Sequence, residues 1–215
     1  MSRFQFFNVV ATSLMSALVV QVICASSVEA SSRNTFPGRR IGGGTRGECA
    51  ARPVVHLVPS SNVFSLGSTN LIALLEGPSA NPKPLEVLLR PASDDGLATP
   101  NVSPLLQQSL GASVNRLVLL RVPAASSPLL WESSYQCGED DGSDEFGFVT
   151  ASAPPALSLL LPEADSQAGA LQEQLASLQA VCGSSTAVAP LKQVFDFGDD
   201  VIDDSWPETV TVQCF

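Results

Sequence analysis

Two groups of carboxylates are the residues whose spacing could support chemistry. One lies within residues 139–145 and the other within residues 196–204. Hard cations such as Ca²⁺ take about six to eight oxygen ligands, which acidic loops can supply. The candidate metal ligands are Asp140, Asp141, Asp144, Asp199, Asp200 and Asp203. Neither group has the spacing of a helix-loop-helix calcium site, so composition favours solvated acidic loops, with calcium binding as the alternative.

The sequence offers little for acid–base or nucleophilic catalysis. His56 is the only histidine, and it alternates with Val54 and Val58 in a predicted strand. We therefore interpret it as a hydrogen-bonded strand residue rather than a general base. No serine lies in a G-x-S-x-G turn. We predict no catalytic residue, and the competing hypothesis is a hydrolase that uses a pair of the loop carboxylates.

A glycine-rich segment matches the dinucleotide pattern only literally. Gly42, Gly44 and Gly47 satisfy G-x-G-x-x-G. A dinucleotide loop needs a strand before it and a helix N-terminus after it, because the helix amides hold the pyrophosphate. Pro37 lies before the pattern and Pro53 lies after it, so neither context is predicted. A tight backbone turn is expected, and no cofactor is predicted.

The first thirty residues predict export. Arg3 precedes a mostly apolar run, and small residues end at Ala30, which is the order of a cleaved signal peptide. We therefore expect a periplasmic or secreted protein without a transmembrane segment. Acylation of Cys24 is the lipoprotein alternative. Cleavage after Ala30 would leave four cysteines, and an oxidising compartment favours two disulfides with three possible connectivities. They are Cys49, Cys137, Cys182 and Cys214.

These side chains must be positioned by a β-rich domain. Residues 31–52 form a glycine- and arginine-rich arm without clear periodicity, and residues 53–215 form one domain. Short apolar runs between prolines and glycines predict strands: 54–58, 71–75, 85–90, 116–122, 129–137, 146–151, 157–161 and 209–214. Leucines spaced for a helix over 165–182, with Asp165 or Ser166 as N-cap and Gly183 at the end, predict an amphipathic helix. The expected fold is an antiparallel β-sandwich with this helix over one end or edge.

The charge distribution restricts the partners. The net charge is −10, and Lys192 is the only basic residue after Arg121. An acidic chain without a basic stripe repels phosphate backbones, so nucleic acid is not an expected partner. The N-terminal arginines are expected to dock on the acidic half of the same chain. We predict a non-catalytic structural or binding module of the cell envelope, with an envelope protein or a polysaccharide as partner. A calcium-dependent interaction module is a further alternative.

Two segments resemble a known family. The box PGRRIGGGTRGEC at 37–49 and the strand LLWESSYQC at 129–137 resemble a cyanobacterial family called domain of unknown function 928. This resemblance, over about residues 37–137, implies an exported protein of a photosynthetic bacterium and brings no activity with it. It also implies that Cys49 pairs with Cys137, which leaves Cys182 for Cys214. We expect Cys137, Cys182 and Cys214 to point to the core.

Overall fold

The computed structural model describes residues 36–44, 51–93, 96, 98–99, 101–136, 154–163 and 168–215. Several of the predictions above fall outside these residues. They are the signal peptide, the candidate ligands Asp140, Asp141 and Asp144, the pair Cys49 and Cys137, the strand at 146–151 and the helix caps Asp165 and Ser166.

Two β-sheets face each other, as the alternation of apolar runs and turn residues predicts. The six-stranded sheet has the order β1-β2-β4-β7-β11-β10, and only the β7–β11 pair is parallel. Its strands are β1 (Ile41–Gly44), β2 (Ala51–His56), β4 (Leu71–Glu76), β7 (Arg116–Arg121), β11 (Thr209–Cys214) and β10 (Ser185–Ala187). The predicted mainly β, sandwich-like fold is confirmed.

The five-stranded sheet has the order β3-β9-β8-β5-β6, and only the β3–β9 pair is parallel. Its strands are β3 (Val63–Ser65), β9 (Ala156–Leu161), β8 (Leu129–Tyr135), β5 (Leu85–Pro91) and β6 (Leu106–Leu110). On β8 the side chains alternate, and Leu129, Trp131, Ser133 and Tyr135 share the face that is buried. The core lies between this face and the six-stranded sheet.

Part of the glycine-rich arm joins the two sheets, although the sequence predicts a loop there. β1 pairs with β2, while the Leu157 amide donates to the Arg39 carbonyl at 2.6 Å and the Gly43 amide donates to the Pro154 carbonyl at 2.9 Å. A Cβ built on Gly42 would lie 2.3 Å from the Ala156 nitrogen, so only glycine allows this approach. This strand is held by backbone hydrogen bonds, so it lacks the side-chain periodicity from which strands were predicted.

One helix was predicted, and the described residues contain two. The first, α1 (Gly169–Ala180), buries Leu175 and Leu178, and it packs on β4 and β7 in the middle of the sheet rather than over an end or edge. Its N-cap is Ala168, without a side-chain cap. The second, α2 (Val188–Val194), contains Pro190 in its first turn, where the missing amide hydrogen costs nothing. Neither of these helices, among the residues described, has the length and apolar character to cross a bilayer.

A disulfide joins the end of the α1 region to β11. Cys182 is bonded to Cys214, with their Cα atoms 5.8 Å apart. The Gly183 amide, at a φ of 81°, donates to the Val212 carbonyl at 2.8 Å, which carries the chain from the helix to the sheet. Both cysteines are exposed, so the expectation that they point to the core is wrong. The reason is that the bond lies where α1 and β11 end.

Candidate functional site

His56 lies between the two sheets, and both nitrogens of its ring are hydrogen-bonded to serine hydroxyls. The ring stacks on Trp131 with 3.5 Å between centroids and 7° between planes. Its Nδ1 lies 2.9 Å from Ser158 Oγ and its Nε2 lies 2.9 Å from Ser133 Oγ. Trp131 Nε1 donates to the same Ser133 Oγ at 3.1 Å. β2 therefore contacts β8 and β9 through one polar cluster, the histidine cluster, made of these four residues.

The histidine cluster suits a neutral imidazole. A neutral ring has one donor and one acceptor nitrogen, and a serine hydroxyl can complement either. His56, Ser133 and Ser158 are all completely buried. Burial lowers the pKa of His56 well below its ordinary value, because an imidazolium would lose its hydration. The arrangement holds the sheets together and keeps the imidazole from solvent, as expected for a hydrogen-bonded strand histidine.

A buried ion pair lies on the same side of the six-stranded sheet. Arg116 Nε donates to Glu76 Oε2 at 2.8 Å and Arg116 Nη2 donates to Glu76 Oε1 at 3.1 Å, so the pair is bidentate. Arg116 Nη2 also donates to the Gly111 carbonyl at 2.7 Å, and Nη1 donates to Gln213 Oε1 at 3.1 Å. These contacts account for both charges inside the fold. Like the histidine cluster, the pair is buried and hydrogen-bonded within the fold, so we assign it a structural role.

The acidic segment 196–204 makes contacts with its own neighbours. Lys192 Nζ pairs with the Asp199 carboxylate and donates to the Ile202 carbonyl at 2.7 Å. Asp203 accepts from the Ser205 amide at 2.9 Å, and hydrogen bonds from Ser205 lower the pKa of Asp203. Within the described part of the chain, no group of three or more His, Cys, Asp or Glu side chains is placed to hold a metal ion. Asp199, Asp200 and Asp203 are thus not gathered as a ligand set.

Arg40 connects the N-terminal arm to the C-terminal half through hydrogen bonds to backbone oxygens. Its guanidinium donates to the carbonyls of Val58 at 3.0 Å, Phe195 at 2.6 Å and Asp196 at 2.6 Å. It also lies 4.4 Å from the centroid of the Phe197 ring. Asp196 has a φ of 52°, which turns the chain at this point. The expected docking of an arginine on the acidic half is present for Arg40, and backbone oxygens are its acceptors.

A shallow depression of about 610 Å³ lies where β4 begins and where β7 and β11 end. The Arg121 amide donates to the Phe215 carbonyl at 3.3 Å, and the Val122 amide donates to the Asn70 carbonyl at 2.8 Å. Arg121 Nη1 also reaches the Thr69 carbonyl at 3.3 Å. The Phe215 side chain is 55% exposed. We call this surface the Phe215 depression; it is lined by Asn70, Arg121, Val122, Pro123, Ala124 and Phe215.

Sequence reasoning found His56 but missed its partners and the Phe215 depression. Ser133 and Ser158 are 77 and 102 residues from His56, so only the pairing of the sheets brings them together. The alternation on β8 is the one signal that places Ser133 on the face of Trp131. The depression combines the ends of three strands that are distant in sequence, and no local pattern marks it.

Comparison with protein-family models, with curated proteins and with solved structures finds no match. The resemblance over residues 37–137 stays a prediction. What the described residues define is a two-sheet β-sandwich with α1 packed on the six-stranded sheet.

Proposed function

We propose that the chain is an exported, non-catalytic binding module of the cell envelope. The apolar run and small residues before Ser31 support export. The histidine cluster supports a non-catalytic role, because its imidazole and both hydroxyls are buried and hydrogen-bonded to one another. The mass of the mature envelope protein tests export, and we expect a chain that begins at Ser31.

The observation that carries the binding function is the exposed aromatic ring in the Phe215 depression. An aromatic side chain stabilises a protein most when it is buried, so a phenylalanine left 55% exposed offers a face for a ligand. Arg121 borders the same depression and presents a guanidinium, which binds carboxylates through paired hydrogen bonds. Asn70 adds a side-chain amide that can donate and accept.

An acidic polysaccharide is the ligand that best combines these groups. The C–H face of a pyranose ring can stack on Phe215, its carboxylate can pair with Arg121, and a hydroxyl can bond to Asn70. An open depression also suits a segment of a long polymer, which must pass over the surface. Charge near Arg121 then selects uronic acids over neutral sugars, although the protein as a whole has a net charge of −10.

Calorimetric titration with oligogalacturonate, and with maltodextrin of equal length, tests the proposal. We expect Phe215→Ala to weaken uronate binding about 5-fold, since one lost stacking contact is worth about 1 kcal/mol. Arg121→Gln should abolish the preference for the acidic sugar and reduce the salt dependence. Val194→Ala, which shortens an exposed apolar side chain at the end of α2, is the matched control. Equal affinities for Phe215→Ala and Val194→Ala, or no binding by the unaltered protein, would contradict the proposal.

A further inference from the structure

A long stretch of the surface lacks charge in an otherwise acidic protein. Residues 96–115 contain no Asp, Glu, Lys or Arg, although these types make up 15% of the sequence. The stretch includes β6 at the edge of the five-stranded sheet, and half of its described residues are exposed. Val102 and Leu105, just before β6, are 44% and 41% exposed. Depletion of charge with exposed apolar side chains is typical of interface centres.

β6 is also an edge without the usual protection. Natural sheets guard their edges with lysines, prolines, bulges or very short strands. β6 pairs with β5 in unbroken register over five residues and its sequence is LQQSL. Among the residues that the structure describes, no strand pairs with its outer side. The edge strands β3 and β10 have three residues each, and the edge strand β1 is joined to the second sheet by backbone hydrogen bonds.

We propose that β6 pairs antiparallel with β6 of a second copy of this chain, which gives a two-fold symmetric dimer. Pairing about Gln108 sets Leu106 opposite Leu110 of the second copy. It also sets Gln107 opposite Ser109 of the second copy. On one face of the paired strands, the two Gln108 side chains lie between two Leu106–Leu110 pairs. On the other face lie the two Gln107–Ser109 pairs. The edge is therefore self-complementary, as an interface with a two-fold axis requires.

Charge selects a second copy over other extended partners. Each copy carries a net charge of −10, so two copies repel each other wherever their acidic surfaces approach. The stretch 96–115 reduces that repulsion, because it brings no charged side chain to the contact. The pairing joins two five-stranded sheets into one sheet of ten strands. This dimer goes beyond the proposed ligand binding, since the Phe215 depression belongs to the other sheet.

Analytical ultracentrifugation of the mature protein over a concentration series tests the dimer. The decisive variant is Gln107→Lys with Ser109→Lys, which sets lysines opposite each other across the two-fold axis. Within one copy, both lysines face Glu86, which Gln107 already contacts and which pairs in register with Ser109, so the fold is retained. The control is Thr209→Lys with Thr211→Lys, at exposed positions on β11, which has strands on both sides.

We expect a dimer for the unaltered protein and for the control, and a monomer for the β6 variant. A protein that is monomeric at every concentration overturns the proposal, as does a β6 variant that remains dimeric. The register has a second test that leaves the charges unchanged. Gln108→Cys should form a disulfide-linked dimer on mild oxidation, because residues directly opposite on paired strands have Cβ atoms about 4.5–5.5 Å apart. Thr211→Cys should not, and a dimer in which Gln108→Cys fails to cross-link refutes this pairing.

Discussion

Lowering the pH should destabilise the protein through His56. The imidazole of an unfolded chain has a pKa of about 6.5, whereas burial holds the pKa of folded His56 well below that. As the pH falls through about 6.5, the unfolded state therefore binds a proton that the folded state does not bind. Stability due to this residue is complete above the unfolded pKa and is lost below it. While folded His56 stays neutral, the loss between pH 7.5 and pH 4.5 is up to about 3 kcal/mol.

Urea unfolding at a series of pH values measures this loss. The reference variant is His56→Phe with Ser158→Ala, which removes the titrating ring and one of its partners together and keeps an aromatic ring to stack on Trp131. Ser133 retains the hydrogen bond from Trp131 Nε1 in this variant. Carboxylates titrate in both proteins, so the difference between the two pH profiles isolates His56. Parallel profiles between pH 7.5 and pH 4.5 would refute the reasoning, because they would mean that the imidazole is protonated equally in both states.

Three further changes test the contacts that hold the fold. Arg116→Met leaves Glu76 charged and buried without its bidentate partner, so unfolding in urea should show a loss of about 3–5 kcal/mol, and Glu76→Leu with Arg116→Met should recover much of it. Cys182→Ser opens a disulfide between residues 32 apart, and the chain-entropy relation gives a loss of up to about 3–4 kcal/mol. The variant should match the reduced unaltered protein in thermal melts, and a variant as stable as the oxidised protein would contradict this. Gly42→Ala places a Cβ against the Ala156 nitrogen and should lower the melting temperature, whereas Gly111→Ala, at a position with open space, should lower it less.

The strands of the core were predictable because a strand that is buried on both faces has a continuous apolar sequence. β4 and β7 are such runs, and their residues are buried almost throughout. β6 was not predictable, since LQQSL has little strand propensity and is held by its register with β5. β1 was missed for a related reason, because its glycines carry no side-chain pattern and its pairing is made entirely by the backbone.

The candidate site was less predictable than the fold because it depends on contacts between distant segments. The alternation around His56 indicated a strand residue with a bonded ring, and the structure confirms it. The partners of His56, Ser133 and Ser158, lie on the other sheet, and which residues face His56 depends on how the two sheets pack against each other. The acidic segment has the same limit, since closeness in sequence does not tell which neighbour each carboxylate contacts: Asp199 pairs with Lys192, whereas Asp203 accepts from the Ser205 amide.

The joining of the sheets through residues 39–43 also determines the order in which the chain can complete its fold. β1 and the residues before it bond to Pro154 and Leu157, which are synthesised more than a hundred residues later. The N-terminal segment therefore cannot form these hydrogen bonds until β9 has been synthesised. Closing so long a loop delays folding, because its entropy is lost before the contacts form. A chain that crosses a membrane unfolded could complete this corner only after β9 has emerged.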